Sequence, residues 1–506
     1  MKRREFLKQV AFTASSVLLA NTFSGCSNSK STNQTASVRP DKRQPNIIFI
    51  MADDMGYGDV RYLNPDSKIP TPNIDKLASQ GLYFTDAHTP SAVCTPTRYG
   101  VVTGRYCWRT RLKKGVLNGY SKRLIEPGRM TVASMLRDHG YHTGCVGKWH
   151  LGLSDHQPAD FTKPLTPGPN EAGFDYWFGI PASLDMPPYC FIENGLTTEP
   201  VTATVAGEST PRFYRPGAAS PGFDVEDVMP KITEKACWFI DNHFRTHADK
   251  PFFLYFPLTA PHTPWLPLDQ NNQKSKAGVY GDFVTLVDWT VGQIMKTIEQ
   301  NGAGQNTLLI FTSDNGSHIA DIGKHNNGVS DATRYNFGHD ANYIYRGQKS
   351  DVWDGGHRVP FIVRWPEVIK PGSKSDEVIC LVDFTATCAA LVGHDLPDNA
   401  AEDSYSFLPV LESKSLAGPV RQATVFHSIE GEFAIRKGQW KFLDCTGSGG
   451  WSKGNDGLPG QLYDMAADPQ EKNNLYESAA HQPIIAELKS LLKHYKTQGF
   501  SRPMTG

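Results

Sequence analysis

Short apolar runs alternate with amphipathic segments along most of this 506-residue chain. Compact apolar runs bounded by polar residues, Gly or Pro predict buried strands, whereas apolar residues three to four positions apart predict helices. The predicted strands are 46–51, 141–146, 252–256, 308–311 and 361–364. The predicted helices are 72–79, 131–138, 228–244, 282–300 and 383–391. Their alternation predicts an α/β fold in which helices cover both faces of a largely parallel sheet.

The pattern changes after about residue 420. Segments 433–435 and 440–443 are joined through Lys437-Gly438 and predict an antiparallel hairpin. Apolar residues at helical spacing in 483–495 predict a last helix. We therefore expect a main domain over residues 44–420 and a smaller α+β subdomain over 421–506. In the main domain, Thr71 is expected to cap the helix that begins at residue 72.

Residues 1–25 have the pattern of an export signal. Basic residues precede an apolar run, Val10–Ala20, that is too short to span a bilayer, and small residues precede Cys26. The string R-R-E-F-L-K resembles a twin-arginine motif. The string F-S-G-C resembles a loose lipobox, so Cys26 is expected either to carry a lipid or to be incidental to a plain cleaved signal. Residues 26–43 predict a flexible linker. The protein is thus expected to be exported, either periplasmic or lipid-anchored to the cell envelope.

Composition narrows the classes of function. With 51 basic and 52 acidic residues the formal net charge is −1, so there is no overall basic surface for nucleic acid. The body has no run of about 20 apolar residues, which argues against a polytopic membrane protein. The nine cysteines form no C-x-x-C pair, so neither a zinc ribbon nor a thioredoxin-like site is indicated. They are expected to be buried thiols or, after export, to form some disulfides.

Polar residues gather just beyond the C-terminal ends of four predicted strands. They are Asp53, Asp54, Lys148, His150, His262, Asp314 and Asn315. In open α/β sheets, ligands bind in the crevice outside these strand ends. The carboxylates would repel one another without a cation, and carboxylate and amide oxygens suit Ca²⁺ or Mg²⁺. Lys148, Arg98 and Lys349 could then face an anionic substrate during phosphoryl or sulfuryl transfer.

The string S-A-V-C-T-P-T-R at 91–98, with T-G-R at 103–105, resembles the C-x-P-x-R signature of the type I, formylglycine-dependent sulfatases. The strings I-M-A-D-D, G-K-W-H-L-G, A-P-H-T-P, S-D-N-G and K-S-D-V-W-D-G-G-H extend the resemblance from about Pro45 to Leu475. The chain is similar in particular to exported bacterial members of this family that are related to arylsulfatase A and N-acetylgalactosamine-6-sulfatase. This resemblance implies an alkaline-phosphatase-like sandwich with a C-terminal antiparallel sheet. Asp354 stands where the family usually has Glu.

The resemblance also implies roles for the polar residues. A formylglycine-generating maturation enzyme would oxidise Cys94, recognising Pro96 and Arg98. One Ca²⁺ per chain would be held by Asp53, Asp54, Cys94, Asp314 and Asn315. The catalytic residues would be Cys94, Arg98, His150 and His262, with Lys148 and Lys349 binding the sulfate group. His262 is the expected acid for the leaving alcohol and His150 the expected base that regenerates the aldehyde.

The implied substrate is a sulfated carbohydrate, either a polysaccharide or its oligosaccharides. Trp177 and Tyr189 are expected either to form a sugar-binding rim or to belong to the core, and 196–222 is predicted as a loop near the cleft. Two other classes stay open. One is a hydrolase of phosphate or phosphonate esters, and the other is a non-catalytic lipoprotein that binds calcium and an anionic glycan.

Overall fold

The structure, a computed structural model, describes residues 44–318, 337–454 and 456–504. The predicted export signal, the linker and Cys26 lie outside the described residues. In the described ranges no helix is long and apolar enough to cross a membrane. The eight cysteines of these ranges are all free thiols, so the expectation of buried thiols holds for most of them and no disulfide is seen there.

Eighteen strands are found in the described part of the chain. They are β1 (Asn46–Asp53), β2 (Leu82–Phe84), β3 (Ala87–His88), β4 (His142–Lys148), β5 (Tyr176–Ile180), β6 (Ile192–Glu193), β7 (Leu196–Thr197), β8 (Ala203–Val205), β9 (Gly217–Ala219), β10 (Phe252–Pro261), β11 (Thr307–Ser313), β12 (Phe361–Arg364), β13 (Ser373–Ser375), β14 (Ile379–Cys380), β15 (Thr424–His427), β16 (Phe433–Lys437), β17 (Trp440–Leu443) and β18 (Gln461–Asp464). The α-helices are α1 (Pro72–Ser79), α2 (Cys94–Thr103), α3 (Val132–Asp138), α4 (Val228–Thr246), α5 (Gly278–Gln300), α6 (Asp354–His357), α7 (Asp383–Val392), α8 (Leu408–Leu411) and α9 (Gln482–Gln498).

Ten strands form one mixed sheet in the order β13-β2-β12-β11-β1-β10-β4-β5-β6-β7. The central strands β11, β1, β10, β4 and β5 are parallel to one another. Strands β12 and β6 are antiparallel to their inner neighbours, so the sheet is mixed toward both edges. The predicted fold class is therefore confirmed, including its mainly parallel centre.

Alternation along β1 explains why helices cover both faces. Ile48 and Ile50 join the core beneath α1, α4 and α5, whereas Ile47 and Phe49 join the core beneath α2, α3 and α7. Because successive side chains point to opposite faces, an entirely apolar strand needs cover on both sides. The predicted strands and helices are all present, most of them longer by one to several residues than predicted.

The cap of α1 differs from the prediction. Thr71 occupies the cap position but makes no capping hydrogen bond, and its hydroxyl donates to Asp75 instead. The backbone N–H groups of Asn73 and Ile74 donate to Asp288 of α5, at 2.9 and 2.8 Å. A carboxylate distant in sequence thus satisfies the first turn, which no local pattern reveals.

The C-terminal region forms the predicted antiparallel sheet, in the order β15-β16-β17-β18, with α9 packed against β16 and β17. A buried ionic network joins it to the main sheet. Lys441 Nζ of β17 lies 2.7 Å from Asp354 Oδ1 and 2.8 Å from Glu471 Oε1, and Arg358 lies 3.1 Å from Asp354. Asp354, the residue that departs from the family pattern, therefore anchors this junction.

Of the two roles considered for Trp177 and Tyr189, the structure supports the core. Trp177 has no exposed surface and Tyr189 is 2% exposed, so neither is available to a sugar. The segment 196–222 is not a plain loop, since β8 and β9 pair within it. It does reach the cleft, because Trp265 N donates to Pro211 O and Thr263 Oγ1 donates to Phe213 O.

Candidate active site

Four parallel strands end at one place, and each delivers a predicted polar residue there. Asp53 is the last residue of β1 and Lys148 the last of β4, while His262 directly follows β10 and Asp314 directly follows β11. Since these strands are neighbours, their C-terminal ends meet at one edge of the sheet. The structure thus brings together the strand-end residues predicted from the sequence.

Helix α2 supplies two further predicted residues. Cys94 is its first residue, and Arg98 lies one turn later on the same side. Burial raises the pKa of the Cys94 thiol, and the positive charges of Lys148 and Lys349 oppose that rise. The positive end of the helix dipole adds to this cationic surrounding. A buried thiol of raised pKa is a poor nucleophile in its unmodified form.

The carboxylates of Asp53, Asp54 and Asp314 are fully buried together, with one oxygen from each within 4.8 Å of the others. Asn315 Nδ2 donates to Asp54 Oδ1 at 2.7 Å, which leaves Asn315 Oδ1 without a hydrogen bond among the described residues. Asp53 Oδ1 is likewise without one. Buried oxygens of this kind require a partner. These residues fit a hard divalent cation such as Ca²⁺.

Three cations pair with these carboxylates. Arg98 Nη2 lies 2.6 Å from Asp314 Oδ2, and Lys148 Nζ lies 2.6 Å from Asp53 Oδ2. Lys349 Nζ lies 2.8 Å from Asp54. Burial and Asp53 raise the pKa of Asp314 to about 6, against the effect of Arg98. For Asp54, burial is outweighed by Lys349 and His262, which hold its pKa well below the usual range.

His150 has one ring nitrogen committed and one free. Nε2 lies 2.7 Å from the backbone oxygen of Leu117, which can only accept, so Nε2 carries the hydrogen. Nδ1 is buried and has no partner in the part of the chain described. Burial, Lys148 and Arg98 hold the pKa of His150 well below 6.5. The residue is therefore a neutral imidazole with an available lone pair, as a general base requires.

His262 is oriented in a similar way. Its Nδ1 donates to the backbone oxygen of Thr263 at 2.7 Å, so Nε2 faces Asp54 Oδ2 at 3.7 Å. Burial and Lys349 lower its pKa to about 4. The Ser183 hydroxyl lies 3.1 Å from Lys148 Nζ and 3.4 Å from the His262 ring, so it links the lysine to the histidine.

Sequence reasoning missed several residues of this site. His318 Nδ1 lies 3.5 Å from Asp54 Oδ2, and the string S-D-N-G-S-H that continues the metal-ligand motif was an available signal. Ser183 had no signal, because it approaches through a loop after β5. Asp185 is buried beside His262 and forms an ion pair with Arg215, which comes from the 196–222 segment.

One exposed aromatic residue stands at the rim. Trp451 is 50% exposed, and Lys349 Nζ lies 5.9 Å from the centre of its ring. Its backbone N–H donates to Ser350 Oγ at 2.8 Å, which ties the C-terminal region to the segment that carries Lys349. In the segment 196–222, Phe213 is also exposed, with the Arg215 guanidinium over its ring at 5.4 Å.

Comparison with known proteins gives consistent matches. The Sulfatase family model matches residues 45–394, and a model described as N-sulphoglucosamine sulphohydrolase, C-terminal, matches residues 348–498. An N-acetylgalactosamine-6-O-sulfatase of Bacteroides thetaiotaomicron is 38% identical, over 90% of this chain and 94% of that protein. Human arylsulfatase A is 32% identical, over 89% of this chain and 87% of that protein.

Solved structures agree. One, from work on the metabolism of multiple glycosaminoglycans by Bacteroides thetaiotaomicron, has a TM-score of 0.80 at 36% identity and covers 90% of this chain and 100% of that chain. A phosphonate monoester hydrolase of Agrobacterium radiobacter, 19% identical with a TM-score of 0.59 over 90% of this chain and 96% of that chain, shares the fold.

The fold and its polar strand ends place the protein among the alkaline-phosphatase-like hydrolases. Within that class, the matched family model spans more than half of the chain, and relatives above 30% identity cover nearly all of it. The chain therefore belongs to the sulfatase family and is a sulfuric ester hydrolase.

Proposed function

We propose that this sulfatase removes sulfate from a sulfated carbohydrate, with Ca²⁺ as cofactor and with Cys94 oxidised to formylglycine as the nucleophile. The observation that carries the proposal is the position of Cys94. It begins α2 beside Lys148 and Lys349, close to the buried cluster of Asp53 and Asp314. A residue in that place can face both a bound cation and an anionic ester.

The donor set supports Ca²⁺ as the cofactor. Asp53, Asp54, Asp314 and Asn315, with the modified Cys94, would hold the ion. When bound, Ca²⁺ would polarise the sulfate and stabilise negative charge on the nucleophile. Arg98 fixes Asp314 and so the spacing between α2 and the end of β11.

The remaining residues bind the ester and move protons. Lys148 and Lys349 would exchange part of their contact with Asp53 and Asp54 for the sulfate oxygens. His262 would deliver a proton from Nε2 to the leaving alcohol oxygen, which requires that the negative charge of the bound ester protonate the ring, and Lys349 lies beside it as a second cation. His150, whose Nδ1 is free, would accept the proton that is released when the aldehyde is restored.

The rim supports a carbohydrate as the substrate. Trp451 offers an exposed ring next to Lys349, and aromatic faces are common platforms for amphipathic ligands. Arg215 adds a cation that suits a further acidic or sulfated group. Among the relatives, the protein with 38% identity is named for the 6-O-sulfate of N-acetylgalactosamine. We propose 6-O-sulfated hexosamine oligosaccharides as the first substrates to test.

Peptide mass spectrometry across residues 91–98, on protein from its native host, tests the nucleophile. A Cys94 peptide whose mass is that of the aldehyde supports the proposal, provided that the same protein releases sulfate. An unmodified thiol in protein that still releases sulfate would refute it.

Paired aryl sulfate and aryl phosphate substrates separate a sulfatase from a phosphate ester hydrolase. Protein that stays inactive after co-expression with a maturation enzyme would favour a binding protein.

We also propose a cellular context for this enzyme. The pattern of residues 1–25 supports export to the periplasm, and Cys26 is the candidate for a lipid anchor. The C-x-P-x-R string supports recognition by a formylglycine-generating maturation enzyme. Labelling with a palmitate analogue, with Cys26→Ser as the control, tests the anchor.

A further inference from the structure

Three histidines meet at the edge of the sheet opposite to the active site. His142 begins β4, whereas Lys148 ends it, so the two lie roughly 20 Å apart along the strand. His243 lies in the last turn of α4, and His247 follows directly after its end. One ring nitrogen of each lies within 4.8 Å of the others.

Hydrogen bonds fix which nitrogens are free. His243 Nε2 lies 3.0 Å from the Lys250 carbonyl oxygen, which can only accept, so the lone pair is on Nδ1. Thr246 Oγ1 gives its hydrogen to Asn242 O and therefore accepts from His247 Nδ1 at 2.7 Å. The lone pair of His247 is thus on Nε2. Hydrogen bonds from the second ring nitrogen to a backbone carbonyl or to another polar group orient the histidine ligands of metal sites.

The third ring completes the set. His142 Nδ1 lies 3.0 Å from His243 Nδ1, and because the lone pair of His243 is on Nδ1, His142 Nδ1 donates this hydrogen bond. A metal ion would take the place of that hydrogen between the two nitrogens, with His142 in its Nε2–H tautomer. Neutral imidazole is the form that binds metal.

We propose that His142, His243 and His247 form a binding site for a borderline divalent transition-metal ion such as Zn²⁺. The H-x-x-x-H spacing at the end of α4 presents two ligands on one helix face, and β4 supplies the third. A bound ion would clip the C-terminal end of α4 to the sheet. Imidazole ligands select Zn²⁺ over the Ca²⁺ that suits the active-site carboxylates.

The site needs one local adjustment. The three rings lie within 18° of parallel, so three lone pairs cannot yet converge on one ion. His247 is half-buried and lies beyond the end of α4, where the side-chain hydrogen bond to Thr246 holds its ring, so metal binding would require that ring to rotate. Asp249 and Asp175 add negative charge nearby and Lys250 adds positive charge. Water would be the fourth ligand of a tetrahedral ion bound by these three rings.

The test is titration of the full chain with Zn²⁺, and with Co²⁺ as a spectroscopic probe, in excess Ca²⁺ so that the carboxylate cluster is filled. We expect one equivalent of Zn²⁺, a visible Co²⁺ spectrum typical of tetrahedral nitrogen ligation, and a rise in Tm. His247→Gln should weaken binding at least tenfold and abolish the rise. The matched control, His494→Gln on the exposed face of α9, should change neither.

Sulfate release serves as the folding control, because His247 is distant from the reacting groups. A second variant, His142→Phe, keeps the ring stacked on Phe239 and should also lose the ion. Zn²⁺ binding that is equal in the wild type and both variants would overturn the assignment. So would a wild-type protein that binds no Zn²⁺ while its sulfatase activity shows that it is folded.

Discussion

Arg98 and Asp314 contact each other through two nitrogens, since Arg98 Nε and Nη2 lie 3.0 and 2.6 Å from the same carboxylate oxygen, Asp314 Oδ2. Both side chains are fully buried. Arg98 Nη1 also donates to the backbone oxygen of Lys148 at 2.9 Å. One guanidinium therefore sets the distances between the helix that carries Cys94, the carboxylate cluster and the end of β4.

Replacing this guanidinium should lower the activity even when the positive charge is kept. We expect Arg98→Lys to lower kcat/KM by roughly a hundredfold or more, because an ammonium cannot make the forked contact. Arg105 lies outside the site and pairs with Glu126 and Glu402. Arg105→Lys is therefore the matched control, and its kcat/KM should stay within a few-fold of the wild-type value. Activity is normalised to the aldehyde content at Cys94, and an Arg98→Lys enzyme of wild-type rate would contradict the role.

Metal removal should affect both activity and stability. Chelation is expected to abolish sulfate release and to lower Tm, because three buried carboxylates lose the cation that they share. Added Ca²⁺ should restore both activity and Tm. In Asp314→Asn, the Tm should respond far less to Ca²⁺. Calorimetry with and without chelator measures the effect. Full activity in protein that elemental analysis shows to be free of divalent metal would refute the cation site.

Trp451 should matter for sugars and not for chemistry. Trp451→Ala is expected to raise KM for a sulfated oligosaccharide by about tenfold, as befits the loss of about 1–1.5 kcal/mol of ring contact. Its kcat for a small aryl sulfate should stay close to wild type. Trp238→Ala, another exposed tryptophan at 41%, lies on α4 away from the cleft and is the control. An equal loss on both substrates would instead indicate a distorted Lys349.

The sequence predicts the strand-end residues well because a parallel sheet brings its C-terminal ends together whatever the connections between them. This rule alone predicts that the strand-end residues lie close together, and they are Asp53, Lys148, His262 and Asp314. Contacts made by loops and by helices that are distant in the chain cannot be predicted from local sequence patterns. Asp288 caps α1 across 215 residues, and Trp451 contacts Ser350 across 101 residues, so neither contact has a local signature.

The role of Trp177 was not decided by the sequence for a related reason. An aromatic residue in β5 suits a rim or a core equally until the neighbours of the strand are known. Here β4 and β6 flank β5, and Trp177 joins the core shared with Phe174 and Tyr255.

The junction between the two sheets should depend on Lys441. Burial and the charge of Asp354 raise the pKa of Glu471 to about 7, and Lys441 opposes that rise. We expect Lys441→Met to destabilise the protein by about 3–5 kcal/mol, because the buried carboxylate of Glu471 loses its cation and Asp354 keeps only Arg358. Lys437→Met, on the exposed end of β16 and paired only with Glu487 among the described residues, should cost less than about 1 kcal/mol. Urea denaturation measures both, and equal effects would show that the network is not stabilising.

Acid lability should be traceable to a buried histidine. Burial, Lys496 and Lys113 lower the pKa of His427 to about 4, below the unfolded value of about 6.5. Between pH 6.5 and pH 4, His427 is protonated in the unfolded chain and neutral in the folded chain. The free energy of unfolding is therefore unaffected by His427 above pH 6.5 and decreases as the pH falls toward 4.

From pH 7 to pH 5, His427 should contribute at most about 2 kcal/mol to the fall in the free energy of unfolding. His427→Gln should remove that share of the pH dependence, whereas His494→Gln at the surface should leave it unchanged. Urea denaturation of the three proteins at both pH values gives the comparison. Parallel losses in wild type and His427→Gln would mean that other buried histidines, such as His88 and His357, carry the acid sensitivity.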